Sequence, residues 1–159
     1  TNYLIMAQLP RGLRNNNPLN IKVSTNEWQG RVPRSLAKDK DFEEFQDIFY
    51  GIRAAFIIVR THIQQDRRLL VRTTVAREID RWAPPTENAT DNYIKFVCEH
   101  GVLDEKEVID FSNKNQICRL LWAMAHFENG QQLPFNYFER AYEMLHSTCT
   151  VDAADPNAQ

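Results

Sequence analysis

The sequence lacks any apolar stretch long enough to cross a bilayer, so no transmembrane span is expected. No signal peptide is visible and the first residue is Thr1, which leaves open the removal of a targeting segment. A dominant charge is missing as well. Nineteen basic and 21 acidic residues give a formal net charge of −2 at pH 7. Such a balance supplies no global pull toward nucleic acid, and no nucleic-acid partner is expected. Only Arg67, Arg68 and Arg72 make a locally basic run, and a solvated loop with a helix entry is the simpler reading of it.

Cysteine is scarce. Cys98, Cys118 and Cys149 are odd in number and match no zinc or redox spacing. Cys98 and Cys118 lie in apolar helical runs and are expected to be buried free thiols, with one disulfide in an oxidising compartment as the alternative. The four histidines, His62, His100, His126 and His146, are scattered and form no H-E-x-x-H. A metal site or other cofactor is therefore not expected. No G-x-S-x-G elbow and no phosphate-cradling Gly-rich loop occurs. Cys98 and His100, two residues apart, point to different faces of a helix and make a poor nucleophile pair.

What is present fits one soluble domain: 159 residues, 43% apolar and 25% charged. The expected domain spans residues 1–150, followed by a small polar, disordered tail over 151–159. Residues 10–36 are rich in Pro, Gly and Asn and read as turns, with a short hairpin fitting between Ile21 and Val32. Helices follow. The first covers 48–64, capped by Asp47, and its apolar run 54–59 predicts burial nearly all round. Gly51 inside it calls for close packing against a neighbour. Further helices are expected after Thr73 up to Ala83, where Pro84 and Pro85 stop it, then over 91–99 with Thr90 as cap and Gly101 as terminator. A short one is expected over 105–111, one over 115–127 ended by Gly130, and one over 135–146 opened by Pro134. Strand signals are nearly missing, so the fold class is mainly α with a small irregular or β-hairpin lobe near the N-terminus.

Carboxylates remain as carriers of chemistry. Asp39, Asp41, Glu43, Glu44, Glu105 and Glu107 stand among charged neighbours and read as solvated. Glu128 differs, because it follows the apolar run 120–127 and precedes Asn129 and Gly130. A helix C-terminus and apolar surroundings both disfavour its charge, so its pKa should rise toward that of a general acid. An exposed Glu at a frayed helix end is the alternative.

The segments 10–21 (PRGLRNNNPLNI), 28–30 (WQG), 42–45 (FEEF), 51–54 (GIRA), 82–90 (WAPPTENAT) with Tyr93, and 126–130 (HFENG) resemble the muralytic enzymes of cystoviruses, the enveloped double-stranded RNA phages, and their relatives. The resemblance covers residues 10 to about 130 and implies a lysozyme-like domain carried in a virion. Such an enzyme acts on peptidoglycan in the host periplasm at entry and lysis, beside other virion proteins.

A weaker likeness joins 17–22 (NPLNIK), Trp28-x-Gly30 and 88–93 (NATDNY) to flagellar-type glucosaminidases and lysozyme-like lytic transglycosylases. Their acid-bearing helix precedes the Asn motif, whereas here 125–130 (AHFENG) comes last, as in a circular permutation. These likenesses imply Glu128 as general acid and Tyr93 as an assisting hydroxyl, with a buried structural Tyr93 as the alternative. Asn17, Asn20, Trp28 and Asn88 become candidates for a glycan groove, and Trp28 equally suits a core anchor. Asp39 or Asp41 stands nearest to the place of a second carboxylate, and Glu87, after the two prolines, is the rival acid. Hydrolysis and lytic transglycosylation both stay open, as do a peptide-cleaving enzyme and a non-catalytic virion protein.

Overall fold

Asp47 starts the longest helix. Its backbone is extended (φ −146°) and its carboxylate accepts from the Phe49 N–H at 2.9 Å, which satisfies one donor of the open first turn. The computed structural model describes residues 8–83 and 86–147, and of Asn88 and Ser147 it describes the backbone only. Among the described residues six helices follow in chain order: α1 (Arg11–Arg14), α2 (Ile48–Arg68), α3 (Val75–Trp82), α4 (Glu87–Gly101), α5 (Lys114–Asn129) and α6 (Phe135–Ser147). The protein is mainly α-helical, as the patterning predicts. The expected tail, Cys149, Pro84 and Pro85 lie outside the described residues.

Helix α2 is the central element. Nine consecutive residues from Gly51 to Val59 are buried, including the charged Arg53. α6 packs on α2 and on α5, α4 packs on α5 and α3, and α1 rests on α5. One apolar cluster joins them, with Ile52, Phe56, Ile79, Val97, Ile117, Leu121 and Phe138 fully buried. Cys118 is buried and Cys98 half-buried, both as free thiols, and burial pushes the Cys118 thiol up to about 12.

The expected hairpin between Ile21 and Val32 does not form. Segments 21–23 and 30–32 each pair instead with residues 41–46. Val23 N–H donates to Asp41 and Glu43 N–H to Ile21, while Val32 N–H donates to Glu44 and Gln46 N–H to Gly30, all at 2.8–2.9 Å. A hairpin closed on itself would leave the 41–46 backbone without these partners, a cost buried peptide groups do not tolerate. The lobe is thus a set of isolated bridges, Lys22 to Phe42 and Arg31 to Phe45, around a middle segment that the sequence pattern does not reveal.

Two further corrections concern helices. Residues 105–111 are not helical: Glu105 and Lys106 form a turn closed by the Glu107 N–H on the Asp104 carbonyl, and Val108 bridges to Thr74. The Gln116 side chain holds them there, donating to the Val108 carbonyl at 3.0 Å and accepting from the Asp110 N–H at 2.8 Å. Helix α4 starts at Glu87, after an extended Thr86, and not at Thr90. Its end is reached one residue past Gly101, with Val102 left-handed at φ 54°.

Gly51 faces the backbone of the Asn-rich loop. A Cβ there would collide with the carbonyl oxygen of Asn16, and the Asn17 Cα would stand at 3.2 Å. Helix propensity alone favours Gly51→Ala by about 1 kcal/mol. The obstacle is backbone, which cannot swing aside, so overpacking of about 1–3 kcal/mol should dominate. Urea denaturation of Gly51→Ala should therefore show a net loss of stability. Unchanged or raised stability would mean that the loop is not clamped on α2.

Candidate active site

Helix α5 ends at Asn129, one residue past Glu128. Asn113 caps its start, accepting from the Gln116 N–H at 3.1 Å, and Gly130 ends it in the left-handed region at φ 69°, where no Cβ penalty applies. Glu128 lies in the last turn and is half-buried. Burial is the largest influence on its carboxyl and raises the pKa above the usual 4.5. Two polar neighbours work in the opposite direction. The Asn20 amide donates to Glu128 Oε1 at 3.1 Å, and the Tyr93 hydroxyl faces the same carboxylate. The Tyr93 contact falls short of full hydrogen-bond geometry, so its hold on the carboxylate is the weaker of the two. Among the described residues, no neighbouring carboxylate contributes to the shift at Glu128.

Asn20 is held from several sides. Its own backbone is left-handed at φ 53°, a conformation that Asn tolerates better than most residues. Its N–H donates to the Asn17 carbonyl at 3.0 Å. On one flank, Trp82 Nε1 donates to the Leu19 carbonyl at 2.8 Å. On the other, Asn129 Nδ2 donates to the Pro18 carbonyl at 2.7 Å and to Ala125, in its own helix, at 2.8 Å. Gly12 completes the contact, since a Cβ there would stand 2.5 Å from Asn129 Oδ1 and 2.9 Å from Asn20 Oδ1. The acid and its amide partner, 108 positions apart in sequence, thus meet through a loop-to-helix joint.

Of the predicted site residues, the fold brings Glu128, Asn20 and Tyr93 together. Tyr93 is fully buried, stacked on Phe127 with ring centroids 4.1 Å apart, so it cannot touch a sugar directly. Its hydroxyl pKa is raised by burial first and by Glu128 second, so it stays protonated beside that carboxylate. Asn17 is no groove residue. It is fully buried, its amide donates to the Ile21 and Glu43 carbonyls at 2.9 Å, and its oxygen accepts from the Ile21 N–H at 2.9 Å. Trp28, 4% exposed, is the core anchor. The Asn88 side chain lies outside the described residues.

The other carboxylates are engaged elsewhere. Asp39 forms a two-pronged pair with Arg11 at 2.6 and 2.7 Å and accepts from Asn15 at 2.9 Å, so its pKa lies well below the usual carboxylate range. Asp41 is exposed, 3.4 Å from the same Arg11. Glu43 is a correction, for it is not solvated but fully buried, 3.0 Å from Arg31 and 3.7 Å from Arg34. Glu87 is exposed in the first turn of α4, where it lines an open cleft of about 690 Å³ between α3 and α4 with Arg77, Asp80 and Asp91. Glu128 does not line that cleft. Among the described residues, no three His, Cys, Asp or Glu side chains stand close enough to share a metal ion.

The raised pKa of Glu128 carries a sign for stability. The folded state binds the proton more tightly than the unfolded chain. This contribution is whole below the unfolded value near 4.5 and is lost as pH rises through the higher folded value. Glu128→Gln, which mimics the protonated form, should therefore be more stable than the parent at pH 7, with the gap closing at acid pH. Denaturant titrations of both proteins at the two pH values test this. An equal or lower stability of the variant at pH 7 would show that the carboxylate is not desolvated.

No protein-family model matches the chain. Among curated proteins, Protein P5 of Pseudoalteromonas phage PM2 is 37% identical over 132 residues, spanning 81% of this chain and 76% of that protein. At that identity and coverage, the chain belongs to the same family as Protein P5 of phage PM2.

Proposed function

We propose that this chain is a peptidoglycan-cleaving enzyme of a phage, acting on glycan strands with Glu128 as its single general acid. Its place would be the virion, its site of action the host periplasm, and its substrate the cell wall. The observation that supports this best is the Glu128 carboxyl itself: desolvated, at a helix C-terminus, and held by Asn20 at 3.1 Å. A carboxyl that holds its proton more tightly than an ordinary glutamate can protonate the glycosidic oxygen as the bond to the anomeric carbon breaks. The Asn20 amide and the Tyr93 hydroxyl then stabilise the carboxylate that this transfer leaves behind. The likeness to cystoviral muralytic enzymes supports the activity, and the phage origin of the PM2 relative supports only that the chain is a phage protein.

The arrangement suits lytic transglycosylation better than hydrolysis. Asp39 and Glu43 are tied to arginines and Asp41 is exposed beside Arg11, so none is poised beside Glu128 to activate water. In the proposed second step, the Glu128 carboxylate takes the proton from the 6-hydroxyl of the muramyl residue. That oxygen closes on its own anomeric carbon, giving an anhydro end and restoring the acid.

Digestion of purified sacculi, followed by mass spectrometry, should yield anhydro-muramyl ends. New free amines without glycan ends would replace this reading with peptide cleavage. Failure to clear permeabilised cells would favour a non-catalytic virion role. Glu128→Gln should lower turnover by about 10²–10⁴-fold while keeping the helical circular dichroism. Full activity of the folded variant would remove Glu128 from the mechanism. The pH profile gives a finer check. Activity should fall as pH rises through the raised Glu128 pKa, and Tyr93→Phe, which removes a group that lowers that pKa, should move this limb to higher pH. An unmoved limb would leave Tyr93 a packing residue only.

A further inference from the structure

The basic run at 67–72 (RRLLVR) is the tip between α2 and α3, and it is exposed throughout. Leu70 is 95% exposed and Leu69 68%, with Val71 at 39%. Leu36, Val102 and Val108 are exposed as well, but singly; among the described residues only here do large exposed apolar side chains follow one another along the chain.

The tip is not a frayed end. Val71 N–H donates to the Asp66 carbonyl at 2.9 Å and Leu70 N–H to the Arg67 carbonyl at 3.1 Å, the paired bonds of a tightly closed helix terminus. Asp66, the anchor, is itself fully buried, its carboxylate held by Thr73 at 2.7 Å, by Arg77 at 2.9 and 3.0 Å, and by Arg81. Leu70 occupies the position where such termini favour glycine, left-handed at φ 57°. A leucine there is strained and gains no burial in the fold, and rules broken without local benefit mark functional positions.

We propose that this tip docks the protein on an anionic lipid surface, Leu69 and Leu70 entering the acyl boundary while Arg67, Arg68 and Arg72 meet lipid phosphates. Each half of the motif matches one half of such a surface. Nucleic acid would satisfy the arginines and leave the leucines in water. An apolar protein groove would take the leucines and gain little from three exposed arginines. The closed terminus presents all of these groups without an ordering cost on binding. Asp110, within electrostatic reach of Arg67, partly offsets its charge, so Arg68 and Arg72 carry more of the attraction. No helix among the described residues is long and apolar enough to cross a membrane, which makes the contact peripheral. The inference does not depend on the catalytic reading, and Glu128→Gln should bind lipid as the parent does.

Vesicle flotation tests it. The full chain should float with vesicles of mixed phosphatidylglycerol and phosphatidylcholine, and not with phosphatidylcholine alone, and salt should weaken the binding. Leu69→Ser with Leu70→Ser should weaken it on the order of tenfold. Arg67→Gln, Arg68→Gln and Arg72→Gln together should weaken it on the order of a hundredfold. The helical circular dichroism of each variant is checked first. Leu70→Trp supplies a second reading, in that its fluorescence should shift to the blue when anionic vesicles are added. The proposal is overturned by an absence of flotation, by equal binding to both vesicle types, or by variants that bind as the parent does. It is equally overturned if light scattering shows a dimer that the leucine variant dissolves, or if duplex nucleic acid binds as tightly through the arginines alone.

Discussion

The backbone of residues 16–19 presents its carbonyls in several directions, and structure is hung on three of them. The Asn16 carbonyl rests against Gly51 of α2, the Pro18 carbonyl accepts from Asn129 of α5, and the Leu19 carbonyl accepts from Trp82 of α3. Asn17, between the first two, turns its amide inward and satisfies both Ile21 and Glu43. One short loop thus sets the relation of three helices and of the irregular lobe. Buried peptide groups must find partners, and here they find them in side chains, because the lobe has almost no strand ladder to supply them. The glycines at 12 and 51 follow from the same need, since each is the place where loop and helix approach too closely for a Cβ.

Glu128 inherits its environment from this joint. Two residues of the same stretch, Asn129 and Glu128, meet the loop with opposite outcomes. Asn129 is neutral and finds good acceptors within 2.8 Å. Glu128 meets a single amide at 3.1 Å and a tyrosine hydroxyl short of full geometry, against the loss of water around a charge. Desolvation wins, and the pKa rises. Asp39 shows the reverse outcome in the same protein. Two guanidinium bonds, an amide and two backbone N–H groups outweigh its partial burial, and its pKa falls. The difference between an acid and a fixed anion is thus the number of donors supplied, not the type of residue.

The helices were legible because their signals are local. The Asp47 cap, the apolar run after it, Gly130 and Pro134 each act within a turn of the chain, and α2, α5 and α6 begin within a residue of where those signals put them. What was not legible depends on partners far away. The pairing of 41–46 on both sides, and the capture of 105–111 by Gln116, are tertiary events that override local pattern. The candidate site divides in the same way. Glu128 could be singled out from its apolar run and its helix end. Asn17 looked like a polar loop residue, and only the fold reveals that its amide is spent inside. Glu43 looked solvated beside Glu44, yet in an extended segment neighbouring side chains point to opposite faces, and that alternation was the available clue.

Among the described residues, the lack of a free second carboxylate acting on Glu128 follows from how the lobe is stabilised. A lobe with isolated bridges and few buried apolar side chains lacks the cohesion of a sheet, and ion pairs take over part of that task. Arg11 with Asp39 and Asp41, and Arg31 and Arg34 with Glu43, tie together segments that the backbone alone joins loosely. Breaking the buried Glu43 pair would strand a charge without a counterion, so that carboxylate is not available to serve as a base. A carboxylate that must remain bound to a guanidinium to hold the lobe cannot also move protons for a reaction. In the proposed chemistry the nucleophile then has to come from the substrate, and a sugar hydroxyl already tethered to its own anomeric carbon needs no second protein group to position it.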